Sequence, residues 1–127
     1  MSLLNVESRC EIIEVPIYEA CVAVCCGSEK KIRKFFLKEF EMDLVEPILE
    51  DGLDGSVVTL RQENTGVPIW VIVLPTSVSL NTISHEVFHV TQHIMEHCMI
   101  DLSPDTKEPY AYLHGWLFQR VSDLLGI

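Results

Sequence analysis

The stretch VPIWVIVLPTSVSLNTISHEVFHVTQHIMEHCM, residues 67–99, decides the fold. Its first part, Val67 to Leu74, is a nearly continuous apolar run that Pro75 ends, which predicts a β-strand. Such a run suits an interior strand covered on both faces. The second part repeats apolar residues at helical spacing, Ile83, Val87, Val90 and Ile94, behind Asn81, a residue type that caps helices. It predicts an amphipathic helix from Asn81 to about Met99 with one stripe turned to a sheet and the opposite side free for chemistry.

Upstream, Ser56 to Gln62 is separated from Val67 by Glu63-Asn64-Thr65-Gly66, so the two strands form a hairpin with a four-residue loop. The acidic segment Asp43 to Gly55, with Pro47, Gly52 and Gly55, reads as a loop with one helical turn at most. Before it, Ser28 caps a basic helix from Glu29 to Glu41 whose Ile32, Phe35, Phe36 and Phe40 share a face. Cys10 to Ile17 and Glu19 to Cys26 supply one long bent strand or two short ones, with Pro16 marking a break or an edge. Downstream, Ser103-Pro104 or Asp105 opens a last helix to about Leu125. The order is β-α-β-β-α-α. It predicts an α+β fold with a small, mainly antiparallel sheet, a β-α start, and two closing helices in a single domain of residues 1–127.

The 127 residues, 48% hydrophobic and 22% charged, suffice for one packed core. A net charge of -10 would repel phosphate backbones, so nucleic acid is excluded as the expected partner. No apolar stretch approaches the roughly 20 residues of a membrane span. The first residues mix Asn5, Glu7, Ser8 and Arg9 among apolar ones, unlike a secretory leader. The expectation is an intracellular, cytoplasmic protein. The five cysteines are odd in number and lack CxxC spacing, which argues for small reduced residues rather than a disulfide framework or a thiolate zinc site.

The chemistry lies in His85-Glu86-Val87-Phe88-His89, an HExxH sequence about one turn into the predicted helix. Residues four apart lie about 40° apart around a helix and one turn along it, so two imidazoles can converge on one Zn2+. His85 and His89 project away from the Ile83, Val87, Val90, Ile94 stripe. Glu86 stands beside them as a general base able to take a proton from water and return it to a leaving amine. A catalytic zinc takes a third protein ligand and keeps one position for water. Glu108, nineteen residues beyond His89, is the candidate, on a face shared with Ala111, Tyr112, Gly115 and Gln119. The small Ala111 and Gly115 would let the two helices approach closely. Tyr112, one turn on, would hydrogen-bond the ligand carboxylate or stabilise an oxyanion. His114 is the alternative ligand if the last helix begins later, and His93 and His97 are helix-face residues. Asp105 to Glu108 also has capping-box-like spacing, which competes for the Glu108 carboxylate.

The residues after His89 lack the Gly and third His of the metzincin pattern, whereas two His and a later Glu resemble the gluzincin arrangement. Ile83 to His89 followed by Glu108-Pro109-Tyr110-Ala111-Tyr112-Leu113-His114-Gly115 resembles the small HExxH proteins of phages and prophages, which are similar to minimal zincin metallopeptidases. The resemblance covers nearly the whole chain. It implies a minimal zincin-like fold and a zinc peptidase site carried by His85, Glu86, His89 and Glu108. Folds of this kind set an exposed strand beside the cleft for an extended peptide, and Val67 to Leu74 is the candidate by order. A peptide or protein is the expected substrate. The short chain beyond the motif leaves the cleft open, so a partner or a second copy of the chain would be needed for selectivity. The other reading is a non-catalytic, phage-derived structural or interaction protein whose metal site is vestigial or ties the last two helices together.

Overall fold

The structure is a computed structural model that describes residues 2–48 and 54–127. The chain runs through strands β1 (Leu4–Asn5), β2 (Arg9–Val15) and β3 (Ala20–Cys26), helix α1 (Glu29–Phe40), strands β4 (Ser56–Arg61), β5 (Pro68–Leu74) and β6 (Ser77–Val78), and helices α2 (Leu80–His97) and α3 (Lys107–Leu125). Four strands form the main sheet in the order β2-β3-β5-β4, and β1 pairs separately with β6.

The segment around Pro16 is a turn, so the two strands it separates form the antiparallel hairpin β2-β3, with Cys10 opposite Cys25. The β4-β5 hairpin is antiparallel as well, with Val57 opposite Ile72. The central pair β3-β5 is parallel, Val24 facing Ile72, so the sheet is mixed. A parallel neighbour needs a long crossover. Here it comprises α1, the acidic segment and β4, and residues 49–53 of that segment lie outside the described residues.

β5 therefore lies inside the sheet, buried along its whole length, and the edge-strand expectation for Val67 to Leu74 is corrected. Alternation divides its side chains between two cores. Ile69, Val71 and Val73 pack under α1 with Ile32 and Phe36. Trp70, Ile72 and Leu74 pack under α2 and α3 with Ile83, Val87, Val90, Leu113, Leu117 and Val121. The molecule is a three-layer sandwich with helix on both faces, and β4 forms the sheet edge on the β5 side.

Both long helices begin where local chemistry permits. α2 is capped by Ser79, whose hydroxyl accepts from the Thr82 amide at 3.1 Å, two residues ahead of the expected Asn81. α1 is capped by Ser28 as expected. α3 starts after Thr106 without a side-chain cap, because the Thr106 hydroxyl is bonded into the preceding turn through Ser103. The capping box between Asp105 and Glu108 is not formed.

Candidate metal centre

Helix α2 presents the motif as its apolar spacing dictates. Ile83, Val87, Val90 and Ile94 are buried, while His85 and His89 stand on the exposed side. Their Nε2 atoms are 3.1 Å apart and their rings meet edge to face at 4.7 Å. Two nitrogens bound to one tetrahedral zinc at about 2.1 Å each lie roughly 3.4 Å apart. The pair is thus nearly at ligand spacing, and one ring can donate a hydrogen bond to the other.

Glu86 differs from an ordinary exposed helix former. It is 7% exposed, and its Oε1 faces His85 Nε2 at 4.0 Å. A carboxylate withdrawn from water requires compensating partners. Gly55, which precedes β4, lies against this side of the helix. A Cβ there would come within 2.9 Å of Thr82 Cγ2 and 3.3 Å of Glu86 Cγ. The chain therefore passes against the Glu86 side of α2 only because residue 55 has no side chain. The Pro/Gly content of the acidic segment marks a loop, but this helix contact is tertiary and has no local signature.

On the exposed side, His85, His89, Asn81, Ser84, Phe88 and His114 line an open hollow of about 320 Å³. His114 comes from α3, and its ring stands edge to face with Phe88 at 5.8 Å. Burial pushes the His114 imidazole below its usual range. Its Nδ1 is enclosed and has no hydrogen-bond partner.

Glu108 is not among the residues lining this hollow. It lies exposed in the first turn of α3, near the α2-α3 turn, where Tyr110 donates its hydroxyl to the Ile100 carbonyl. His114, level with Phe88, is six residues further along α3, about 9 Å of helix rise. Tyr112 is 75% exposed and lines another hollow, of about 420 Å³, with Val15, Pro16, Ile17, Tyr18, Leu113 and Trp116. Two residues from His114, it points about 160° away around the helix. Ala111 and Gly115 are exposed, and a Cβ on Gly115 would meet nothing within 4 Å. The α3 core face is instead Tyr110, Leu113, Leu117, Val121 and Leu125. The close helix approach expected at Ala111 and Gly115 is thereby corrected.

His93 is exposed and the His97 ring packs on Trp70 at 5.6 Å, as expected for helix-face residues. Among the described residues, no three His, Cys, Asp or Glu side chains are already gathered closely enough to hold a metal ion. None of the described helices is long and apolar enough to cross a membrane. No protein family, curated protein or solved structure matches the chain.

Proposed function

We propose that the protein is a zinc-dependent peptidase in which His85 and His89 supply two metal ligands and Glu86 is the general base. The observation that carries this reading is the combination on one helix of two imidazole nitrogens 3.1 Å apart with a buried carboxylate 4.0 Å from one of them. The orphaned Nδ1 of His114 in the same wall also fits a group that accepts an electron pair.

When bound, zinc would polarise a carbonyl and bring the pKa of a water toward about 7. The chain does the rest. His85 and His89 would hold the ion. Glu86, buried on α2, takes a proton from the attacking water as its oxygen bonds to the peptide carbon. It then delivers that proton to the departing amine nitrogen as the C–N bond breaks. The hollow is open, and β4, the edge of the sheet, is the strand to which an extended peptide would add. A peptide or protein is the proposed substrate.

The competing reading is a metal pin between α2 and α3 without catalysis, since among the described residues no third ligand is gathered beside the pair. Glu86→Gln separates the two. The peptidase reading predicts unchanged zinc stoichiometry and a loss of peptide hydrolysis of about 10²- to 10⁴-fold, the range for a general base. Cleavage of a diverse peptide mixture, followed by mass spectrometry, is the readout. Equal cleavage by wild type and Glu86→Gln, or none by either at full zinc loading, would leave only the pin.

A further inference from the structure

We propose that His114, and not Glu108, is the third protein ligand, making a three-histidine centre that bridges α2 and α3. This rests on the zinc reading above and specifies its ligand set. Three observations point to it. His114 lines the hollow that His85 and His89 line, whereas Glu108 does not. The antiparallel return of the chain sets His114 level with Phe88, the residue before His89, through ring contact at 5.8 Å. Glu108 lies about 9 Å further along the helix axis, toward the turn, and faces solvent.

The third observation is the Nδ1 of His114, enclosed without a hydrogen-bond partner. Buried polar nitrogens are nearly always paired, and an exception in a wall shared with two other imidazoles calls for an ion or a water. Because the three rings are not gathered at ligand distance among the described residues, capture requires His114 to turn about its side-chain bonds toward the pair. The turn exchanges an unpartnered ring nitrogen for a metal ligand. The ring already borders the hollow. Three neutral imidazoles and one open position form a ligand set known for catalytic zinc. They leave Glu86 free of the metal and available for proton transfer.

The test is zinc affinity by competition with a chromophoric chelator for the full-length wild type, His114→Ala and Glu108→Ala, with circular dichroism of each apo protein as the folding control. The proposal predicts that His114→Ala weakens zinc by at least about 100-fold, no less than the loss of an outer-sphere partner costs. Glu108→Ala should stay within about threefold, well inside that same margin. Should His114→Ala fold poorly, His114→Cys loaded with Co2+ provides a second readout: a thiolate-to-cobalt absorption absent from cobalt-loaded wild type. Wild-type affinity in His114→Ala with loss in Glu108→Ala overturns the ligand assignment but leaves the zinc reading standing. Unchanged affinity in both variants overturns it as well. A wild type that binds no zinc overturns the assignment together with the reading beneath it.

Discussion

Glu86 and Gly55 show how one side chain's chemistry depends on another's absence. The HExxH spacing and the helix beneath it are legible in the sequence, because imidazoles four apart and an apolar stripe on the other side are both local patterns. The burial of Glu86 is not legible, since its surroundings include Gly55, thirty-one residues away in the chain. Gly55→Ala should therefore destabilise the protein by about 1–3 kcal/mol, the usual cost of overpacking, because Thr82 Cγ2 would lie 2.9 Å from the new methyl. Gly115→Ala should do the reverse. It sits in mid-helix with open space around it, and replacing it should stabilise by roughly 0.5–1 kcal/mol. Denaturant unfolding of the two variants checks both signs, and a stabilised Gly55→Ala would contradict the close approach.

The α2-α3 hairpin determines which side chains can share an ion. Its geometry was half readable. A search for a carboxylate selects the face of Glu108, Ala111 and Gly115, but the apolar spacing of Tyr110, Leu113, Leu117 and Val121 selects the face that packs. Burial of that apolar face sets the rotation of the helix, which brings His114 to the hollow while Tyr112 turns elsewhere. The hairpin is tied by Tyr110, whose hydroxyl donates to Ile100 O at 2.5 Å. Burial, with Glu96 and Asp101 nearby, raises the Tyr110 phenol above its ordinary 10.0. The unfolded chain then sheds this proton first as pH rises. The stability it contributes is complete below about pH 10 and declines as pH climbs through the higher folded value. Tyr110→Phe should cost about 1 kcal/mol at neutral pH and flatten the alkaline loss. Thermal melts from pH 7 to 11 measure this. An equally steep alkaline limb in Tyr110→Phe would count against the assignment.

The whole molecule is a sheet sandwiched between α1 and the α2-α3 pair, and its centre is β5. The four main strand segments, the β4-β5 hairpin and the three helices follow from periodicity and turn residues, whereas residues 10–26 leave open whether one bent strand or two would form. The order β2-β3-β5-β4 does not, because pairing β3 beside β5 is a choice between distant segments that an apolar run alone leaves open. The short β1-β6 pair also lacks a signal, being two residues long in each strand. If β5 feeds two separate cores, Ile69→Val and Ile72→Val should each cost about 0.5–1.5 kcal/mol. Their double variant should equal the sum within about 0.5 kcal/mol, since the two side chains lie on opposite faces. This scaffold holds the His85–His89 pair on the open side of α2, and the functional account depends on that pair gripping a cation. The most direct test is elemental analysis of the protein purified without chelators, wild type beside a His85→Ala/His89→Ala double variant. The account predicts one zinc per wild-type chain and none in the folded double variant; a metal-free wild type, or equal zinc in both, would contradict it.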